Sequence, residues 1–293
     1  MTKFLRYCLI SILLGGFMLL ASQTKQAKES KAEDHFAKLD ALRVHYQNYG
    51  KGKDALVFIH GWTCDLTFWK ANVPAFIGQA HVLAIDLPGH GGSDKPQISY
   101  SMDLFARAID AVLQDAQVER ATLVGHSMGT PVIRQFYRKY PAKTSALVIV
   151  DGALKPFGDK AAMEKVFEPL HGPNYKQFAE VMVGSMTAPM KDKTAAAAVK
   201  TTMLSAPQHV MVGAMDAMLD PDIWKDDKIN VPTLALMAAN PSWNADYEKA
   251  VRTLVPGVDF QVWPGVSHFL MLDEPQKFND TVAAFLKKQK LIK

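Results

Sequence analysis

The stretch ATLVGHSMGTP, residues 121–131, contains an apolar run that stops at a serine flanked by two glycines. The run ATLV is typical of a buried strand, and the residues that follow have the spacing of a helix. Gly125 and Gly129 lack the side chains that would collide if the strand turned abruptly into that helix. Pro131 fits a first helical turn, where its missing N–H would have had no partner. We therefore expect Ser127 to project from a strained corner at the end of the strand.

Similar apolar runs recur along the chain and alternate with segments of helical periodicity. Runs rich in branched aliphatic residues, as strands covered on both faces should be, are ALVFIH (55–60), HVLAID (81–86), ALVIVD (146–151), TLALMA (233–238) and DFQVW (259–263). Helical patterns cover residues 101–116, 128–140, 245–254 and 275–290. This alternation predicts an α/β fold with a mostly parallel central sheet flanked by helices.

Two segments near the start of the folded region are less regular. Residues 42–50, LRVHYQNYG, alternate in the manner of an exposed edge strand in a hairpin, with Gly50 and Gly52 as the predicted turn. Residues 23–36 are polar and are predicted to form a flexible lead-in. We therefore expect one folded domain over residues 37–293.

The interval between Asp151 and Val231 interrupts the alternation with about 80 residues that contain no convincing strand. A structureless loop of that length is uncommon inside a compact domain. We therefore predict a helical lid, inserted after the sixth strand and spanning about residues 154–229.

The N-terminal segment has a different character from the rest of the chain. Two cations, Lys3 and Arg6, precede an apolar stretch over residues 7–21, and a polar, lysine-bearing segment follows. This order is typical of a secretory signal, and the stretch is shorter than the roughly 20 residues of a spanning helix. We expect residues 1–22 to be a signal peptide or an uncleaved N-terminal anchor. The protein is then exported, as a periplasmic or secreted protein, with a membrane tether if the segment is uncleaved.

Charge and cysteine content exclude several classes of protein. The net charge is +4 at pH 7, but residues 1–31 hold five cations against one acid, so the remaining chain is neutral. A neutral chain lacks the basic surface of a nucleic-acid-binding protein. Removal of the segment with Cys8 leaves Cys64 alone, so no intramolecular disulfide is expected, and Cys64 is predicted to be a small buried side chain.

The sequence also lacks the short motifs that hold metals and nucleotides. It has no H-E-x-x-H, paired C-x-x-C, G-x-x-x-x-G-K-[ST] or G-x-G-x-x-G pattern. Neither a metal nor a nucleotide cofactor is therefore implied. The partner that the sequence implies is a small-molecule substrate.

Four segments together resemble the α/β-hydrolase superfamily over nearly all of residues 40–290. The corner at 125–129 resembles the nucleophile elbow of that family. HGWTCDLTFW (60–69) resembles its oxyanion loop, and DLPGHGGSD (86–94) resembles the turn after its fourth strand. WPGVSHFLMLDEP (263–275) resembles the loop that carries its catalytic histidine. The resemblance implies the α/β-hydrolase fold in its serine-nucleophile, lid-containing branch.

The resemblance assigns the nucleophile to Ser127 and the base to His268. The chemistry agrees, because a serine hydroxyl is a poor nucleophile until a base accepts its proton. Histidine is the side chain whose unperturbed pKa lies near neutrality. The family uses the positions of His60, His90 and His126 structurally, so we expect these three side chains to pack or to form hydrogen bonds.

The resemblance also implies an oxyanion hole made by the backbone N–H groups of Trp62 and Met128. Fixed donors are needed there because negative charge develops on the tetrahedral intermediate. The indole of Trp62 either lines the acyl pocket or packs in the core, and the sequence does not separate the two.

The acid of the triad departs from the family pattern. Most relatives place an aspartate a few residues beyond the strand TLALMA, but the loop here reads AANPSWNADYE (238–248). Asp151 ends the preceding strand, a place that some superfamily members use for the acid. Asp246 comes slightly late, at the predicted start of a helix, where N–H groups favour a carboxylate for structural reasons. We expect Asp151, with Asp246 as the alternative acid and a dyad without an acid as the third possibility.

The predicted lid indicates the substrate class. It holds eight of the fourteen methionines and the aromatic residues Phe157, Phe167 and Phe178. The methionines either fill gaps between lid helices or form an adaptable wall for an apolar substrate. We expect a serine hydrolase that cleaves a small, fairly apolar carboxylic ester, lactone or thioester through an acyl-serine intermediate. The alternatives are a carbon–carbon bond hydrolase or perhydrolase of the same fold, and a low-turnover ligand-binding protein.

Overall fold

The structure, a computed structural model, describes residues 32–156 and 158–292. The signal peptide or anchor predicted for residues 1–22 lies outside the described residues, as do residues 23–31 of the predicted lead-in and Phe157. Within the described ranges, no helix has both the length and the apolar character needed to cross a membrane.

The described chain forms one eight-stranded sheet. Its strands are β1 (Glu33–Leu39), β2 (Leu42–Tyr49), β3 (Asp54–Ile59), β4 (His81–Ile85), β5 (Arg120–His126), β6 (Thr144–Val150), β7 (Thr233–Ala238) and β8 (Asp259–Trp263). Their spatial order is β1-β2-β4-β3-β5-β6-β7-β8. The β1–β2 and β2–β4 pairs are antiparallel, and all the other pairs are parallel. The prediction of a mostly parallel sheet is therefore confirmed.

α-Helices occupy the intervals between β4 and β8, and two more follow β8. They are α1 (Met102–Asp115), α2 (Gly129–Lys139), α3 (Lys160–Phe167), α4 (Tyr175–Thr187), α5 (Lys193–Leu204), α6 (Gln208–Leu219), α7 (Ala245–Leu254), α8 (Leu270–Asp273) and α9 (Pro275–Lys288). A side-chain cap marks the start of α1, where the hydroxyl of Ser101 accepts from the N–H of Leu104 at 3.1 Å. Strands β3 to β7 are buried over nearly their whole length, as expected of parallel strands covered by helices.

Helices α3 to α6 lie between β6 and β7, so the chain makes a long helical excursion after the sixth strand. We call this segment, residues 160–219, the helical insertion. The described part of the interval between Val150 and Thr233 contains no strand, in agreement with the absence of strand patterns in the sequence.

Residues 33–36 correct the predicted lead-in, because they form the first half of β1. This strand pairs with β2 along its whole length, from Glu33 opposite Asn48 to Leu39 opposite Leu42. Only Ala37 and Leu39 of β1 are buried. A strand that buries so few side chains has the polar composition of a flexible segment, which explains the error.

The same pairing corrects the interpretation of β2. That strand lies between β1 and β4, so β1 and β8 are the edges of the sheet. The hairpin turn falls at residues 40–41, where Asp40 has a positive φ of 53°, and not at Gly50 and Gly52. Positive φ is uncommon for a residue other than glycine, although aspartate tolerates it better than most.

The parallel strands bring the candidate functional residues to one edge of the sheet. Ser127 follows β5, Asp151 follows β6, and His268 lies in the loop after β8. Trp62 lies in the loop after β3. Because the carboxyl ends of parallel strands lie at the same edge, loops that are distant in sequence converge there, which is the usual place for a ligand site in such sheets.

Candidate active site

Ser127 lies at an abrupt corner between β5 and α2. Its φ is +52°, in the left-handed region that side chains other than glycine rarely adopt. A Cβ on Gly125 would come within 2.5 Å of the carbonyl oxygen of Gly129, and a Cβ on Gly129 would come within 2.7 Å of the carbonyl oxygen of Ile59. Both positions therefore require glycine, and the two together allow the serine to project from the end of the strand.

His268 and Asp151 are joined by a short hydrogen bond. The distance between His268 Nδ1 and Asp151 Oδ2 is 2.7 Å. The Asp151 side chain is 3% exposed and the His268 side chain 24% exposed. A carboxylate accepts only, so Nδ1 carries the proton, and the other ring nitrogen of the neutral imidazole, Nε2, is an acceptor. This is the tautomer that a general base at Nε2 requires.

Two further donors hold the carboxylate of Asp151. Its Oδ1 accepts from the backbone N–H of Ala238 at 2.8 Å and from the indole N–H of Trp243 at 2.9 Å. With His268 on Oδ2, the buried acid has three hydrogen-bond donors. Burial of a carboxylate is tolerated only with such partners, so this environment is built for a charged side chain.

The structure brings Asp151, and not Asp246, to His268. Asp246 is exposed in the first turn of α7. It is also absent from the described residues that line the cavity holding Ser127 and His268. Its position in the first turn is the one that orphan helix N–H groups favour.

The loop after β3 packs directly against the corner of Ser127. A Cβ on Gly61 would lie 3.1 Å from the Cβ of Ser127. The next residue, Trp62, and Met128 contribute backbone N–H groups that donate to no other group in the described chain. Both residues line the cavity of Ser127. Two unengaged donors beside the serine are the arrangement that can receive a developing oxyanion.

Trp62 lines the cavity, and its side chain is packed. It is 4% exposed, and its indole N–H donates to the carbonyl oxygen of Met211 in α6 at 2.8 Å. The indole therefore ties the loop after β3 to the helical insertion.

The other three histidines near the site are fully buried. His60 Nδ1 lies 2.8 Å from the carbonyl oxygen of Gly61, and His126 Nε2 lies 2.9 Å from that of His268. Burial lowers the pKa of His90 to about 3 and that of His126 well below its ordinary value. These rings stay neutral and form internal hydrogen bonds. Burial also raises the pKa of the Cys64 thiol well above its ordinary value, so a reactive thiolate is disfavoured.

A cavity of about 910 Å³ lies over Ser127 and His268. Its outer wall comes from the helical insertion and the segment that follows, with Met163, Phe167, Met182, Met186, Met215, Met218, Leu219 and Trp224. Five of the insertion's methionines thus line the cavity, whereas Met190, Met203 and Met211 are buried and lie outside its lining. The first group lies at the surface of the cavity, and the second packs in the core.

Two features of the site were missed in the sequence. The first is Trp243, whose indole N–H donates to Asp151; its only sequence signal is a tryptophan in the loop where the family pattern places an acid. The second is Arg134 of α2, which is 1% exposed and donates to the carbonyl oxygen of Leu154 at 2.7 Å and to Asp227 at 3.0 Å. These contacts hold both ends of the segment that contains the helical insertion. A buried arginine in an amphipathic helix gives no sequence signal of such a role.

The described residues contain no group of three or more histidine, cysteine or acidic side chains placed to hold a metal ion. The chemical groups that converge at the cavity are instead a hydroxyl, an imidazole, a carboxylate and two backbone N–H groups. These groups are the ones that nucleophilic acyl transfer requires.

The fold and the position of this site are those of the enzymes called α/β hydrolases. Residues 56–281 match the alpha/beta hydrolase family, and the chain belongs to that family. A 2-hydroxy-6-oxononadienedioate/2-hydroxy-6-oxononatrienedioate hydrolase from Paraburkholderia phymatum is 26% identical over 84% of this chain and 91% of its own length. The solved structure of an esterase from Exiguobacterium antarcticum has a TM-score of 0.76 at 20% identity, over 87% of this chain and 100% of its own.

A further match covers less of both proteins. The dihydrolipoyllysine-residue acetyltransferase component of an acetoin cleaving system, from Cupriavidus necator, is 32% identical over 45% of this chain. This chain spans only 35% of the length of that relative. The family therefore rests on the match over residues 56–281, and the fold agrees with that of the solved esterase.

Proposed function

We propose that the protein is a serine hydrolase that cleaves a small, fairly apolar carboxylic ester, lactone or thioester through an acyl-serine intermediate. The observation that carries the proposal is the hydrogen bond from His268 Nδ1 to Asp151 Oδ2, at 2.7 Å, beneath the cavity that also contains Ser127. It supplies a base of the correct tautomer at the edge of the sheet where a serine projects.

In the acylation step, Nε2 of His268 accepts the proton of the Ser127 hydroxyl as its oxygen attacks the substrate carbonyl carbon. The resulting oxyanion is stabilised by the backbone N–H groups of Trp62 and Met128. Asp151 stabilises the imidazolium that forms. His268 then returns the proton to the departing alcohol or thiol as the carbon–oxygen or carbon–sulfur bond breaks.

In the deacylation step, His268 removes a proton from a water molecule, and the hydroxide attacks the acyl-serine. The ester bond to Ser127 breaks, the serine oxygen recovers the proton, and a carboxylic acid leaves. We propose that the helical insertion acts as the lid that shields these steps from bulk water.

The lining of the cavity favours an uncharged substrate. The only lysine or arginine among its described lining residues is Lys160, while Asp151 and Asp159 are acidic. The relative from Paraburkholderia phymatum is named for a dioate, a substrate with two carboxylates. A cavity with one lysine and a wall of methionines suits an apolar acyl chain better than a dianion.

Fluorophosphonate labelling combined with p-nitrophenyl esters of graded acyl length tests the proposal. We expect steady hydrolysis and stoichiometric labelling, both lost in Ser127→Ala and both retained in Cys64→Ala. No cleavage of any ester, with Ser127 unlabelled, would refute the proposal. A stoichiometric burst of p-nitrophenol without steady turnover would instead support the low-turnover ligand-binding alternative.

A further inference from the structure

The loop after β7, residues 239–244, contains no acidic residue, yet it contacts the carboxylate of Asp151. Trp243 in that loop is 8% exposed, and its indole N–H lies 2.9 Å from Oδ1 of Asp151. Its ring packs against Tyr247 at a centroid distance of 4.6 Å. The donor is therefore buried, in hydrogen-bond contact with the carboxylate and fixed in place by neighbouring aromatic packing.

The backbone of Asp151 alone does not determine where the carboxylate points. Its φ is +44°, a strained value for a side chain other than glycine. A Cβ on the next residue, Gly152, would come within 2.0 Å of Thr130 Oγ1, so only glycine fits there. The rotation of the carboxylate is set by its hydrogen bonds, with Ala238 and Trp243 on Oδ1 and His268 on Oδ2.

We propose that Trp243 is a positioning residue of the catalytic site, which holds Oδ2 of Asp151 towards His268 by an indole hydrogen bond to Oδ1. The inference rests on the proposed function, since it assigns Asp151 and His268 to the reaction. The loop after β7 thus contributes to the triad by orienting an acid that comes from β6.

The role predicts a loss of turnover more than a loss of binding. Trp243→Phe removes the N–H but keeps an aromatic side chain in the wall, so we expect kcat to fall about 10- to 100-fold, as for loss of a hydrogen bond to a charged group. KM should change less than about threefold, because the apolar wall remains.

The variant should also move the acidic limb of the pH dependence of kcat/KM to higher pH. Without the indole donor, more negative charge stays on the carboxylate that faces His268, and the protonated imidazole is held more firmly. The other titratable groups nearby do not interfere. Burial lowers the pKa of His126 well below its ordinary value and raises that of Tyr247 to about 12.

Trp263→Phe is the matched control. Trp263 is also buried, and its indole donates to a side-chain oxygen, Gln261 Oε1, at 3.3 Å. It is absent from the described lining of the cavity. We expect this variant to keep the wild-type kcat and pH profile. Equal losses in the two variants, or an unchanged kcat and pH profile in Trp243→Phe, would overturn the proposal.

Proton NMR of the resting enzyme separates this inference from the proposed function, because it needs no substrate. The proton between His268 Nδ1 and Asp151 Oδ2 should give a far-downfield signal that shifts or broadens in Trp243→Phe and stays in Trp263→Phe. This holds even if no ester is cleaved. If Trp243→Phe fails to fold, indole ¹⁵N labelling of the wild type decides: a slowly exchanging Trp243 N–H supports the inference, and a rapidly exchanging one overturns it.

Discussion

The ring nitrogen Nδ1 of His268 lies 2.7 Å from Oδ2 of Asp151, although 117 residues separate the two in the chain. Strands β6, β7 and β8 are neighbours in the sheet, so the loops that follow β6 and β8 meet above the end of β7. Ala238, the last residue of β7, donates its N–H to the same carboxylate. The acid is thus held by hydrogen bonds to the end of β7 and to the imidazole in the loop after β8.

Asp151→Asn tests whether this pair is catalytic. An amide at this position can donate to Nδ1 and favours the wrong imidazole tautomer, so we expect kcat/KM to fall by about 10⁴-fold. Asp246→Asn changes an exposed residue of α7, and we expect kcat/KM within about twofold of the wild type. Both variants are assayed with the best p-nitrophenyl ester, after their melting temperatures show that they are folded. Equal and mild effects would refute the assignment of Asp151.

Gly125→Ala tests the close packing of the corner that carries Ser127. The added Cβ would lie 2.5 Å from the carbonyl oxygen of Gly129, a backbone atom that cannot move without displacing α2. We expect the free energy of unfolding to fall by about 3 kcal/mol and kcat to fall with it. The measurement is urea denaturation monitored by circular dichroism.

Gly184→Ala provides the matched substitution in open space. Gly184 lies in α4, and a Cβ there would meet no atom within 4 Å. We expect a gain of about 0.5–1 kcal/mol, because alanine is the better helix former. A loss at Gly184 as large as that at Gly125 would mean that the close approach of the corner is not the cause.

The sequence predicted the parts of the site that depend on single strands and their ends. The position of Ser127 at the end of β5 is indicated by an apolar run followed by two glycines. The burial of β3 to β7 is indicated by their aliphatic composition. Both features depend on residues that are close together in the chain, so they can be predicted from local sequence patterns. The mostly parallel sheet follows in turn from the alternation of strands with helices.

The sequence did not predict features that depend on contacts between distant segments. The indole of Trp243 contacts Asp151, which is 92 residues away in the chain. Nothing in the loop sequence AANPSWN indicates that the ring is directed towards the end of β6. The polar composition of residues 33–36 predicts a lead-in, although these residues belong to β1, which pairs with β2 and buries only two side chains. In both cases the structure depends on tertiary contacts that local composition does not indicate.

Arg134→Met tests the hydrogen bonds that hold the two ends of the segment containing the helical insertion. The buried guanidinium donates to the carbonyl oxygens of Leu154, at 2.7 Å, and Lys225, and to Asp227 at 3.0 Å. Its removal takes the donor from the buried carbonyl oxygen of Leu154, whereas Arg138 still donates to Lys225 and Asp227. We therefore expect the free energy of unfolding to fall by about 2 kcal/mol. We also expect KM to rise, because the wall of the cavity is no longer held at its ends. Chemical denaturation and steady-state kinetics measure the two effects.

Arg120→Met is the control for a surface ion pair. Arg120 donates to Asp54 at 2.8 Å, and the two side chains are 60% and 56% exposed. Exposed pairs contribute little because water and salt screen them. We expect nearly unchanged stability and unchanged KM. A stability loss in Arg134→Met no larger than that in Arg120→Met would show that the hydrogen bonds of Arg134 contribute little to stability.

His90→Asn tests the prediction that buried neutral histidines make the protein sensitive to acid. Burial lowers the pKa of His90 to about 3, whereas an unfolded histidine titrates near 6.5. As the pH falls below about 6.5, His90 becomes protonated in the unfolded chain but stays neutral in the folded chain. The stability present above pH 6.5 is therefore lost progressively towards pH 3. We expect the variant to lose about 3 kcal/mol less than the wild type between pH 6.5 and pH 4.

The comparison of variants is needed because other histidines act on the same curve. His60 and His126 are also buried with lowered pKa values, so the variant keeps part of the acid slope. His45 acts in the opposite sense: its hydrogen bond to Asp86 raises its pKa, so its contribution is present below about pH 6.5 and is lost as the pH rises. His171→Asn, at a side chain that is 52% exposed, should keep the wild-type slope. Urea denaturation at each pH measures the slopes, and parallel curves for His90→Asn and the wild type would show that His90 is not a source of acid sensitivity.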